Sequence, residues 1–229
     1  MRTGLATIAR RAFKRPAAPD ELDQLMALRD IGAQLEPTDQ SETGTLAALQ
    51  ALLMAPSTLY RTEFSLPVQG QGRSLSAHER GAALAALLLD SMPDDPLLAA
   101  ADDGSLATDA GMIRQIDRLL LLPRVRTQLT NAILTAYNVP RVFNTPKDAK
   151  LYPEYTPQLQ NSMYEETRRF VDGVLWTRSA PLSELLTSRR SFVDAPLAKL
   201  YGVPAQRTPL EPTILPPQRA GPLTQATVM

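Results

Sequence analysis

The sequence predicts an all-α protein, a multi-helix, bundle-like fold followed by a proline-rich extended C-terminal arm. Three observations carry this reading. Apolar residues recur at spacings of three and four in successive stretches, helix-start signals precede most of those stretches, and no segment alternates apolar with polar residues over a useful strand length. Hydrophobic residues make up 44% of the 229 and charged residues 21%, which is enough apolar content to build a core rather than a disordered chain.

Taken in order, Leu5, Ile8, Ala9, Ala12 and Phe13 form the apolar face of a first helix. Its last turn carries basic residues, where they complement the helix dipole. Pro19, Asp20 and Glu21 open a second helix that runs through Leu25, Met26 and Leu28 to about Leu35 and ends at Pro37. Ser41 to about Tyr60 continues with Leu46, Leu49, Leu52, Leu53 and Met54 on one face, broken and restarted at Pro56 and Ser57. Residues 65–73, with Pro67, Gly70 and Gly72, read as a linker between a small helical module at 1–64 and a central one at 74–205.

Ser76 and Glu79 form a capping box at the start of the central module. The following helix, Arg80 to Asp90, is apolar nearly all round and is expected to be covered on most sides. Pro93, Asp94 and Asp95 begin a short helix, Thr108 caps another, and Pro123 opens one carrying Val125, Leu129, Ile133 and Leu134 inward. Thr156 and Pro157 start the longest helix, to about Trp176. Two short helices follow, and Gly202 stops the second. From residue 204 onward six prolines force an extended arm that buries little surface alone and must lie on its own domain or on a partner. The arm's apolar residues Ile214, Leu215, Leu223 and Val228 are the expected partner-docking contacts.

Composition removes several function classes. Twenty-four basic and 24 acidic side chains give a net charge of zero, which argues against nucleic acid as a partner, since that binding needs excess Lys and Arg. Cysteine is absent, so disulfides, zinc thiolates, iron–sulfur clusters and covalent haem attachment are excluded, and no cofactor is expected. The longest apolar run, Gly81 to Leu89, falls far short of the ~20 residues that span a bilayer, so no integral membrane segment is expected. His78 is the single histidine, in a helix first turn, and reads as a solvated or cap-adjacent residue. Asp94 and Asp95 read as helix-start acids rather than metal ligands.

One acid stands out. On the helix from Thr156, Leu159, Met163, Phe170 and Val174 share a face, and Glu166 falls on that same face. A carboxylate there must be kept neutral or be paired. The expectation is a structural ion pair with Arg61, whose long stem follows an apolar helix and could deliver a planar fork.

The segments ARRAFKRP, LQALLMAPSTLYRTE, LLLDSMPDDPLLAAA, MYEETRRFVDGVL with SFVDAPLAKLYGVP, and RAGPLTQATV occur in that order. The series resembles the consecutive domains of unknown function in planctomycete-type, cytochrome-c-linked multidomain proteins of bacterial cell envelopes. Residues 206–229 resemble only the opening of that family's third module. No C-x-x-C-H motif occurs in these residues, so an electron-transfer role would fall to a neighbouring haem-bearing chain or domain.

Two function classes follow. The first, preferred, is a non-catalytic helical scaffold or interaction module of a bacterial envelope complex associated with c-type cytochromes, with protein partners. The second is a carboxylate-dependent hydrolase, for example of glycans, pairing Glu166 with Glu154 or Asp172. A weaker alternative, an organelle-imported subunit, rests on five basic and no acidic residues among the first sixteen. The resemblance implies a periplasmic or envelope location; otherwise the chain reads as cytoplasmic.

Overall fold

The computed structural model describes residues 1–35, 39–61, 63, 66–67, 73–178, 180–204 and 209–228. It is mostly helical, and the chain divides into two compact units, Met1–Val125 and Arg126–Met229. The division falls inside the stretch read as the central module. Most of the linker, including Gly70 and Gly72, lies outside the described residues.

In the first unit, α1 (Arg2–Ala12) packs Ala9, Ala12 and Phe13 against Leu25 of α2 (Pro19–Leu35) and Leu52 of α3 (Gln40–Met54). Helix α3 starts where the Asp39 side chain accepts the amide of Glu42. It stops at Ala55, which takes an extended ψ of 139° because the next residue is Pro56. A single turn, α4 (Pro56–Leu59), follows.

Helices α2 and α3 cross closely because glycines face each other's backbones. A methyl group built on Gly32 would lie 2.4 Å from Cβ of Ala47, and one built on Gly44 would lie 2.7 Å from the carbonyl oxygen of Arg29. Residues 66–67 (β1) and 73–74 (β2) pair antiparallel. The capping box opens α5 (Ala77–Leu84): Ser76 Oγ accepts the amide of Glu79, and the Ser76 amide donates to Glu79 Oε2.

From Ala85 to Leu89 the helix widens into a π turn that ends with Asp90 in the left-handed region at φ 48°. Leu87 in that turn is 66% exposed, so the helix read as covered on most sides is open on one. Helices α6 (Asp95–Asp102) and α7 (Asp109–Leu120) complete the unit. Arg10 and Arg11 of α1 reach Asp102 and Asp95 of α6, and Asp102 also meets Nε2 of His78 at 2.8 Å.

Helix α8 (Pro123–Ala136) carries the chain into the second unit. There α9 (Pro157–Asp172) is capped by Thr156 and ends in a second π turn, Gly173–Thr177. Its buried residues serve two cores. Leu159 and Met163 pack with Val193, Leu197 and Leu215, while Phe170 and Val171 pack with Leu134, Val139 and Val174.

After the single-turn α10 (Glu184–Thr187), β3 (Arg190–Val193) pairs antiparallel with β4 (Glu211–Ile214), Arg190 opposite Ile214 and Val193 opposite Glu211. The ribbon is a short strand pair in an otherwise helical unit. Helix α11 (Ala195–Tyr201), capped by Asp194, ends at Gly202 with φ 65°.

The residues beyond β4 lie on their own unit. Leu215 is 2% exposed, Gln225 is buried, and Val228 packs against the core that contains Phe170. Gly221 is needed here: its φ is 62°, and a Cβ would fall 2.5 Å from the carbonyl oxygen of Leu185.

Candidate functional site

The most unusual chemistry of the second unit centres on Glu166, which α9 delivers into the interior on the same stripe as Met163 and Phe170. Its side chain is 0% exposed. Oε1 accepts from Ser191 Oγ of β3 at 2.6 Å, and Oε2 accepts from the Tyr201 hydroxyl of α11 at 2.5 Å. Both donors are themselves held. Ser191 Oγ accepts from Gln225 Nε2 at 3.2 Å, and the Tyr201 hydroxyl accepts the amide of Ala226 at 2.9 Å. One carboxyl group thereby ties a helix, a strand, a second helix and the segment 225–226 together.

The arrangement suits an ionised carboxylate, because each oxygen receives a donor and neither donor has a second acceptor of comparable geometry. Burial works the other way. It pushes the Glu166 carboxyl up to about 7, against the two hydrogen bonds and the charge of Arg219, while Asp194 adds to the rise. Arg219 stacks 4.4 Å above the ring of Tyr201 and donates to the carbonyl of Thr224. Burial, then the neighbouring Glu166 charge, also raises the Tyr201 phenol, so it stays a donor across the physiological range.

Two further contacts flank Glu166 on α9, one from Ser162 a helical turn earlier and one from the adjacent Thr167. Ser162 Oγ donates to Asp194 Oδ2 at 2.5 Å, and Thr167 Oγ1 meets Thr227 Oγ1 at 2.7 Å.

Arg61 and Glu166, the pair expected from the sequence, each have partners within their own unit. Arg61 lies in the first unit, is about half exposed, and pairs with Glu63 at 3.0 Å, while Glu166 takes its partners from hydroxyl groups of its own unit. A hydroxyl donor involves no second charge, so burying it spares the desolvation penalty of a guanidinium. The cation that does act on Glu166 is Arg219, next to Ala220 in the segment RAGPLTQATV.

Of the four apolar docking residues, Leu215 and Val228 are used inside the unit, whereas Ile214 and Leu223 stay exposed at 59% and 56%. The acids of the hydrolase reading do not share one setting: Glu154 is exposed, and Asp172 is half-buried. Glu166 is enclosed, and the oxygens of Asp172 accept from Thr130 at 2.7 Å and from Arg168 at 3.0 Å.

Asp94 caps α6 through the amide of Leu97 and holds Arg118 with two bonds of 2.9 Å. Burial would raise its carboxyl, but those partners keep it below the usual carboxylate range. Among the described residues no group of three or more His, Asp or Glu side chains is placed to hold a metal. No described helix is long and apolar enough to cross a membrane.

The helical fold and the order of its segments define a chain built from consecutive modules. It belongs to the family described as a protein of unknown function (DUF1592), whose model matches residues 75–203. Residues 1–63 match a second family, described as a protein of unknown function (DUF1595). The two in this order are typical of planctomycete cytochrome-c-type multidomain proteins. No curated protein and no solved structure matches the chain.

Proposed function

We propose that this chain is a helical interaction module that docks a protein partner, in a bacterial envelope assembly that includes a c-type cytochrome. The modules read at 1–64 and 74–205 and the segment 206–229 would be its working divisions. The observation that carries the reading is an apolar face left open on the α2–α3 hairpin.

Leu28, Ile31 and Leu35 follow one another along α2 at helical spacing, and Ile31 and Leu35 are 56% and 76% exposed. On α3, Leu46 and Leu53 are also exposed. By helical rotation from the Gly32 and Ala47 crossing, these residues fall on the same side of the hairpin. A face of this kind on a folded chain is the usual mark of a protein contact. Ile214 and Leu223 are the exposed apolar residues of the C-terminal segment that would extend it to a second contact.

The test is site-specific photo-crosslinking in the native host, with the photoreactive residue at Ile31, at Leu53 and, as a polar control, at Glu42. A single adduct from the first two positions, identified by mass spectrometry as a haem-bearing polypeptide of the same assembly, supports the reading. Adducts no more frequent than at Glu42 overturn it.

A further inference from the structure

A cleft of about 680 Å³ opens within the second unit between the π turn Gly173–Thr177 and the β3–β4 ribbon. Its volume lies in the range of small-molecule sites. The apolar part of its wall comes from Phe170, Phe192, Pro212 and Ile214, and three guanidinium groups, of Arg169, Arg178 and Arg190, stand around it. The one carboxylate in the wall, Asp172, has both oxygens bonded by Thr130 and Arg168.

Arg178 is paired with Glu184, and Arg169 donates to the carbonyl of Leu210. The Arg190 side chain is exposed and makes no hydrogen bond or ion pair among the described residues. The cleft therefore combines an apolar floor with an uncommitted cation.

From this we infer that the cleft binds a small amphipathic anion, an aliphatic carboxylate of about ten carbons, with its head on Arg190 and its chain against Phe192 and Ile214. Excess guanidinium in the wall selects an anion over a cation. Strand addition by an extended peptide is disfavoured, because Pro212 removes a backbone donor from the middle of the four-residue β4. The site lies wholly within Arg126–Met229 and does not depend on the docking face of the α2–α3 hairpin.

Calorimetric titration of the intact chain with sodium octanoate and sodium decanoate, below their micellar concentrations, tests the assignment, with decyltrimethylammonium as the cationic control. Saturable binding of one decanoate per chain is expected, tightening about fourfold per added methylene. Arg190→Ala should weaken it about tenfold or more, and Arg190→Lys should restore part of the loss. Ile214→Asp should abolish it while the circular dichroism spectrum is kept, Ile214 being exposed. Absence of saturable heat, equal binding of the cationic control, or affinity unchanged in both Arg190→Ala and Ile214→Asp would each overturn the site.

Discussion

Glu166 and Tyr201 are joined by a 2.5 Å hydrogen bond whose donor, the Tyr201 hydroxyl, also accepts the amide of Ala226. Two residues 35 positions apart thus share one proton-donating group with the segment 225–226. This relay ties α9, β3, α11 and the segment 225–226 together in the interior of the second unit, and the first two predictions follow from it.

Stability should fall as pH rises through the interval from the ordinary carboxyl value of 4.5 to about 7. Within that interval the folded chain keeps a proton on Glu166 that the unfolded chain has released, so unfolding is favoured by each step upward in pH. The loss across the interval is about 3 kcal/mol. Glu166→Gln cannot titrate and should flatten this dependence, being relatively worse at pH 5 than at pH 8. Urea unfolding followed by the fluorescence of the single tryptophan, Trp176, measures it, and parallel stability curves for the two proteins would contradict the prediction.

Tyr201→Phe removes a donor and an acceptor together. It leaves Glu166 Oε2 and the Ala226 amide without partners in a closed interior, at a cost of about 2 to 4 kcal/mol. The Glu166 carboxyl should move further up, because a bond favouring its ionised form is gone. An unfolding midpoint unchanged from the parent protein would show that the relay is dispensable.

The glycine crossing of α2 and α3 predicts opposite signs for the same substitution. Gly44→Ala gains about 1 kcal/mol of helix propensity but forces a methyl against the Arg29 carbonyl and Ala33, so it should destabilise by about 1 to 3 kcal/mol net. Gly4→Ala, with nothing within 4 Å of the new Cβ, should be neutral or stabilising by up to about 1 kcal/mol. Thermal unfolding monitored by circular dichroism compares the two directly.

Arg61→Met should change stability by less than about 1 kcal/mol, the ordinary worth of an exposed pair such as the one it makes with Glu63. A loss of several kcal/mol in equilibrium unfolding would restore the pairing first expected from the sequence.

Helix boundaries were legible wherever the chain's own chemistry marks them. Pro56 after Ala55, the Ser76–Glu79 box, Thr156 with Pro157, and Gly202 all act within four residues of where they stand, so their effect is written locally. The same holds for the placement of Glu166 on an apolar face, which helical spacing dictates.

Its partners were not legible. Ser191 and Tyr201 are chosen by the tertiary path of the chain, as is Ala226, which donates to Tyr201, and charge alone favoured an arginine where the fold uses hydroxyl groups. The two π turns were also hidden, since an apolar pattern at spacings of three and four does not change when one turn widens. The β3–β4 ribbon escaped notice because four residues per strand, one of them Pro212, carry too little alternation to read.

The relay around Glu166 also sets an order of events during synthesis. The acid leaves the ribosome before Ser191, before Tyr201 and long before Ala226, which follows it by 60 positions. At typical translation speeds that last interval is roughly 3 to 12 seconds. The raised proton affinity of Glu166 comes with burial, so it cannot be complete before the segments that enclose it have been made. Because burial lifts the Glu166 carboxyl to about 7, folding of the second unit draws protons from a mildly acidic solution, at a residue made long before.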